Sequence, residues 1–295
     1  MMTTNSTENQ KNAGDPAAST RQATRRRRRW AISLLRIVVI SYVSLLVILV
    51  LMETKLLCPG AYDFRENAPK PFASQPWQYA AEDGSTITGR LLERPGSKRT
   101  VLFLHGNGVK AAWLDDWTLR ISRLLQASVL AAEYRGFQDA AVTPCESNLI
   151  SDSLCAHDAL CEHYGLRSED LIVYGRSLGG GCAAAVAAQR NTKMLILDRT
   201  FDSVANVASD RFPIFPIRMV MRNEFDSLDR LRGYQGRLIQ IHGTTDQIVP
   251  IANGQRLFDS IPSSGKVFLK VPGMYHNDPI PKSTLEEVSR LVSEI

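Results

Sequence analysis

A mostly parallel β-sheet wrapped by helices on both faces is the fold the sequence predicts, and three observations predict it. From Trp77 onward, short apolar runs rich in β-branched residues alternate with segments of helical period, the pattern of an α/β domain. One such run, 171–174, passes through Gly175-Arg176-Ser177-Leu178-Gly179 directly into an alanine-rich stretch, which is the signature of a sharp strand-to-helix turn that lifts a serine out of a sheet. Ahead of this domain, Trp30 to Met52 is apolar apart from Arg36 and a few hydroxyl residues, long enough to cross a bilayer as a helix.

Reading from the N-terminus, the first part of the expected tail (1–29) is Thr-, Asn-, Ser- and Gln-rich with little to bury, and it is expected to be disordered. Arg25 to Arg29 close this tail, and the apolar run 30–52 that follows makes the five arginines a membrane flank rather than a nucleic-acid contact. Arg36 lies near the cationic end, where its stem can carry the guanidinium to the headgroups. The positive-inside rule keeps the arginines cytoplasmic and puts the rest of the chain on the extracytoplasmic side. A cleaved signal peptide fits less well, since the polar region is long, the apolar run is long and no small-x-small site follows Met52. Leu56-Leu57-Cys58 resembles a lipoprotein site only faintly, with Leu57 where Gly or Ala is wanted.

Residues 53–76 contain several prolines and read as a stalk, with the domain proper expected at 77–295. The formal net charge of +5 equals the contribution of the arginine run, so the domain is near neutral and carries no nucleic-acid groove. The five cysteines form no CxxC pair and have no histidine at ligand spacing, which argues against zinc. Cys182 reads as a small buried filler, and an oxidising compartment would allow Cys145 to pair with Cys155 or Cys161.

Within the domain, 77–81 and 86–91 around Glu82-Asp83-Gly84-Ser85 predict an antiparallel strand pair. Strands follow at 99–104, 129–133, 171–174, 194–197, 238–241 and 267–271, separated by helices that include 113–125, 147–164 and the stretch after Ser177. The last helix is expected from Ser283, with Ser283 and Glu286 at capping-box spacing. Residues 199–235 form a small insertion whose Phe201, Phe212, Ile214, Phe215, Ile217, Met219, Val220 and Met221 are unusually apolar for a connection. They line an acyl pocket, touch a bilayer or pack on the domain.

A serine hydroxyl is a poor nucleophile until a base takes its proton and amide donors await the oxyanion. Asp246, in the loop after strand 238–241, and His276, in the loop after strand 267–271, supply an acid and a base in the chain order Ser177, Asp246, His276 expected of α/β hydrolases. Asp198, also at a strand end, is the competing acid. His242 is expected to pack in its turn, His157 and His163 to lie on the surface or flank of a helix, and His105 to fix the 105–108 loop by hydrogen bonding. Leu178 N–H, at the first turn of a helix, is one oxyanion donor. Asn107 N–H, preferred over Gly108, is the other.

His-Gly-Asn-Gly at 105–108, Tyr-Arg-Gly-Phe at 134–137, Gly-Arg-Ser-Leu-Gly-Gly at 175–180, Arg-Thr-Phe-Asp-Ser at 199–203, His-Gly-Thr-Thr-Asp at 242–246 and His-Asn-Asp at 276–278 occur in one order. With these motifs the chain from Trp77 resembles the serine α/β hydrolases, in particular the membrane-anchored alpha/beta hydrolase domain-containing proteins 12, 13 and 17. It departs from them at the first loop, where Asn107-Gly108-Val109-Lys110 stands in place of the usual Asn-Ala-Gly-Asn continuation. The resemblance implies Ser177, Asp246 and His276 as a catalytic triad, residues 199–235 as a small lid, and hydrolysis of an acyl ester or thioester. Lipids are among the substrates it implies, and no metal or cofactor is needed. A peptidase or amidase with the same triad and a non-catalytic membrane-tethered interaction domain of the same fold are the rival readings.

Overall fold

The structure is a computed structural model that describes residues 16–64 and 69–294. It divides into two compact units at the Leu51/Met52 boundary. The first consists, among the described residues, of helix α1 (Pro16–Leu57) as far as Leu51. The stretch Thr24–Leu57 of α1 is long and apolar enough to cross a membrane. Residues 1–15 of the expected disordered tail lie outside the described residues. Residues 16–29 depart from that expectation, because they continue α1. Arginine, glutamine and alanine are good helix formers, and extending a helix already nucleated by the apolar run adds one hydrogen bond per residue without a new nucleus.

The second unit starts at Met52, so the expected stalk 53–76 needs correction. Its first residues complete α1, a 3-10 turn spans Pro59–Tyr62, and Cys58 and Ala61 are buried in the domain core. Asp115 then takes up the chain before the sheet, accepting the Phe72, Ala73 and Ser74 amides at 2.7, 2.6 and 3.0 Å. Local composition reads as a stalk because the contacts that fasten this stretch to the domain, such as those of Asp115 with Phe72–Ser74 and of Gly60 with Asn107, are long-range.

The sheet has the order β1-β2-β4-β3-β5-β6-β7-β8. β1 (Gln75–Ala80) and β2 (Thr86–Leu92) form the expected antiparallel pair, and β2 joins β4 (Ala127–Ala132) antiparallel as well. β3 (Arg99–Leu104), β4, β5 (Ile172–Arg176), β6 (Met194–Asp198), β7 (Arg237–Gly243) and β8 (Lys266–Val271) run parallel. α2 (Asp115–Leu125) follows β3, and the short α3 (Arg135–Gln138) and long α4 (Glu146–Tyr164) follow β4. α5 (Leu178–Arg190) follows β5, while α6 (Val204–Arg211), α7 (Ile217–Val220) and α8 (Ser227–Arg230) fill the 199–235 insertion. α9 (Ile251–Ser260) precedes β8 and α10 (Lys282–Ser293) closes the chain.

Alternation along the strands feeds two cores. Leu102, Leu104 and Val173 pack on one face with α4 and α5, and Val101, Phe103 and Tyr174 on the other with α2 and α10. α10 begins one residue earlier than expected, after Pro281, and no capping box forms there. Proline at the N-cap carries no side-chain acceptor, and its extended backbone alone directs the chain into the helix. His157 also departs from expectation: it is fully buried, with Nε2 3.0 Å from the Ser168 carbonyl. All five cysteines carry free thiols.

Candidate active site

β5 ends in the middle of the parallel sheet, and α5 starts at the next residue but one. Ser177 makes the turn with φ 52° and ψ −120°, a backbone that a non-glycine residue adopts only when its surroundings enforce it. They do so by hydrogen bonds: Ser177 N–H donates to the Asp198 carbonyl at 2.9 Å, and the Ser177 carbonyl accepts from the Thr200 hydroxyl at 2.9 Å. The flanking glycines leave no alternative. A Cβ on Gly175 would lie 2.5 Å from both Ala183 Cβ and the Gly179 carbonyl, and one on Gly179 would lie 2.1 Å from the Leu104 carbonyl.

The loops after β7 and β8 bring Asp246 and His276 to this turn. His276 Nε2 is 3.0 Å from Ser177 Oγ and Nδ1 is 2.7 Å from Asp246 Oδ2. A carboxylate only accepts, so Nδ1 carries the proton and Nε2 offers its lone pair to the serine hydroxyl. Asp246 Oδ1 accepts from the Ile248 and Val249 amides, both at 2.9 Å, which fixes the carboxylate against its own loop. Burial alone would raise the Asp246 carboxyl, but the hydrogen bond and charge of His276 and the Val249 N–H hold it below its ordinary value. His242, packed in its turn as expected, has Nε2 2.9 Å from the Val249 carbonyl and 3.6 Å from Asp246 Oδ2. Burial pushes its pKa down, which keeps it neutral beside the pair.

Asp198 is otherwise engaged. Arg199, a fully buried arginine, grips it with Nε at 2.7 Å and a terminal nitrogen at 3.0 Å. The other terminal nitrogen donates to the Tyr275 and Asp278 carbonyls at 3.3 and 2.6 Å. The pair therefore holds the loop that carries His276 from both sides of the histidine.

His105 does fix the 105–108 loop. Its Nδ1 is 2.8 Å from the Gly106 carbonyl and its Nε2 3.0 Å from Glu133 Oε1, while Glu133 Oε2 accepts the Ala111 amide at 2.9 Å. A second brace comes from the end of α1 and the turn after it. Asn107 Nδ2 donates to the Leu57 carbonyl at 2.8 Å, and the Gly60 amide donates to the Asn107 carbonyl at 2.8 Å.

Between this loop and the elbow lies a cavity of about 330 Å³ lined by Phe103, Asn107, Gly108, Leu114, Arg176, Ser177, Ile248 and His276 among others. The fold thus brings Ser177, Asp246 and His276 into one hydrogen-bonded row, sets Asn107 on the wall of the same cavity and puts Leu178 at the first position of α5. No residue of the 199–235 insertion lines that cavity. Phe201 instead packs in the core, while Phe212, Ile214 and Met219 are exposed. Glu133, Arg199 and the Leu57–Gly60 brace carried no role in the sequence reading. A glutamate ending a buried strand and an arginine directly after Asp198 were the visible signals for the first two.

No family model matches the chain. Among solved structures, it superposes on an esterase from Pyrococcus furiosus with a TM-score of 0.60 at 18% identity, over 77% of this chain and 99% of that one. It also superposes on the esterase domain of a Rhodothermus marinus protein, with a TM-score of 0.54 at 20% identity over 75% and 96%. The chain has the α/β-hydrolase fold. Its homologues with that fold's name include human alpha/beta hydrolase domain-containing protein 17B, 28% identical over 201 residues and 68% of each chain. An uncharacterized protein of Mycobacterium tuberculosis is 29% identical over 200 residues, 67% of this chain and 70% of that one.

Proposed function

We propose that this α/β-hydrolase-fold chain is a membrane-anchored serine hydrolase that cleaves acyl esters or thioesters. The observation that carries the reading is the row Ser177 Oγ, His276 Nε2 at 3.0 Å, and His276 Nδ1 to Asp246 at 2.7 Å, at a turn with φ 52° on the wall of a cavity. Ser177 Oγ attacks the acyl carbonyl while His276 takes its proton, and His276 then gives that proton to the departing oxygen or sulfur. Water, deprotonated by the same imidazole, releases the acyl group from Ser177. Asp246 holds the ring in the tautomer that leaves Nε2 basic and stabilises the imidazolium. Leu178 N–H and Asn107 N–H, in preference to Gly108 N–H, receive the oxyanion.

The cavity sits at the lower end of the roughly 300–1,000 Å³ range of small-molecule sites, and its apolar Phe103, Leu114 and Ile248 suit a short or medium acyl chain. The esterases among the fold's neighbours support ester chemistry over peptide cleavage. α1 is the anchor, with Arg25–Arg29 cytoplasmic and the catalytic unit extracytoplasmic. The test is turnover by the full chain in detergent on acyl esters of graded chain length, acyl thioesters and peptides. Ester or thioester hydrolysis that Ser177→Ala abolishes is the expected result; cleavage of peptides alone, or activity that survives Ser177→Ala, overturns the proposal.

A further inference from the structure

The 199–235 insertion carries a segment that the proposed chemistry does not use. Arg211 to Arg222 reads Arg-Phe-Pro-Ile-Phe-Pro-Ile-Arg-Met-Val-Met-Arg, with three arginines, seven large apolar residues and no carboxylate. Phe212 and Met219 stand 49% and 86% exposed, and Arg211, Arg218 and Arg222 are exposed beside them. None of these arginines forms an ion pair among the described residues, although Asp210 next door is bound by Arg256 at 2.9 Å. Exposed apolar side chains interleaved with unpaired cations, without acidic residues, match the interfacial zone of an anionic bilayer, where the apolar groups enter the acyl boundary and the guanidiniums meet phosphates.

The C-terminal end of this segment is fastened to the last turns of α1, just past the apolar run 30–52. Glu53, two residues after Leu51, accepts the Arg222 amide at 3.0 Å and the Asn223 amide and Nδ2 at 2.9 Å each. Asn223 Oδ1 in turn accepts the Glu146 amide at 2.7 Å, which ties the same point to α4. A helix that leaves a membrane at the end of the apolar run 30–52 brings Arg222, and the exposed segment before it, to the membrane surface.

The geometry points to Arg211–Arg222 as a docking surface for anionic phospholipid headgroups, with Phe212 and Met219 inserted between them. This rests on α1 as the membrane anchor, and the experiment separates the two claims. The full chain is mixed with vesicles of phosphatidylcholine, or of phosphatidylcholine with about one third phosphatidylglycerol, and floated; amide exchange is then followed over 211–222. Anchoring predicts flotation with both vesicle types. Docking predicts exchange over 211–222 slower by about tenfold on the anionic vesicles than on the neutral ones, an effect removed by about 1 M salt. Arg211→Gln/Arg218→Gln abolishes that difference, and Met219→Asp weakens it, while exchange in β3 and β5 stays unchanged as evidence of an intact fold.

Flotation with equal exchange on both vesicles overturns docking and leaves the anchor standing. Flotation on anionic vesicles alone overturns the anchor and supports docking, and flotation on neither overturns both. Protection that ignores lipid charge but rises with protein concentration assigns the segment to a second copy of the chain and overturns docking.

Discussion

Replacing Gly60 by alanine tests whether the turn just past α1 governs the proposed oxyanion loop. Gly60 donates its amide to the Asn107 carbonyl, and its Cα sits so close to the loop that an added Cβ would lie 2.8 Å from Asn107 O, 2.9 Å from Gly108 C and 2.9 Å from Val109 N. All three are backbone atoms, so no rotamer change relieves the clash. Ordinary contact begins at 3.4 Å, which leaves the loop to retreat by about half an ångström. Misplacing catalytic groups by about 1 Å costs roughly a hundredfold in rate, so a shift of half that size predicts a kcat about tenfold lower. Overpacking adds a stability loss of about 1–3 kcal/mol. The assay is steady-state hydrolysis of a short-chain ester together with thermal unfolding. Gly233→Ala is the control, since nothing lies within 4 Å of the Cβ it would add and its backbone is unstrained. Asn107→Ala, which removes the 2.8 Å bond to Leu57 O, should lower kcat in the same direction. Wild-type kcat and melting in Gly60→Ala refute the coupling.

Three other outcomes follow from the same geometry. Asp246→Asn should reduce kcat by about 10⁴ under the proposed mechanism, because the amide no longer selects the Nδ1–H tautomer; ester kinetics with unchanged folding by circular dichroism check this. The same variant reads a pH window. The folded Asp246 carboxyl is held below its ordinary value, so its contribution to stability is present above the unfolded pKa of about 3.9 and is lost as pH falls through the lower folded value; the stability gap between wild type and Asp246→Asn in urea titrations should narrow below about pH 4. Arg199→Met leaves buried Asp198 with, among the described residues, only the Arg176 Nε at 3.9 Å as a cation and should cost about 3 kcal/mol, whereas Asp198→Leu/Arg199→Met should recover at least half of that in denaturant melts.

The sequence made the parallel sheet legible because each strand announces itself locally. Leu171 to Tyr174 is apolar and β-branched, and Gly175 and Gly179 have no role except a turn too tight for side chains. Ser177, Asp246 and His276 were legible for a different reason: each follows the carboxyl end of a predicted parallel strand, and such ends gather on one sheet edge. The braces were not legible. Leu57 lies 50 residues from Asn107 and Glu53 170 residues from Asn223, and no period or local propensity encodes such pairs. Composition alone read 53–76 as a stalk, and only tertiary packing makes Cys58 and Ala61 part of a core. The apolar insertion residues stayed ambiguous for the same reason, since hydrophobicity does not distinguish Phe201, which packs inside, from Met219, which faces out.

If Ser177 is a nucleophile activated by His276, covalent trapping will reveal it. Full-length protein incubated with a fluorophosphonate and digested should carry one phosphonyl group on the peptide containing Ser177, with loss of ester hydrolysis in step with labelling. His276→Ala should label far more slowly, and Ser177→Ala should not label. An unlabelled wild type, or a phosphonyl group found on another residue while Ser177 stays unmodified, rules out Ser177 as the nucleophile.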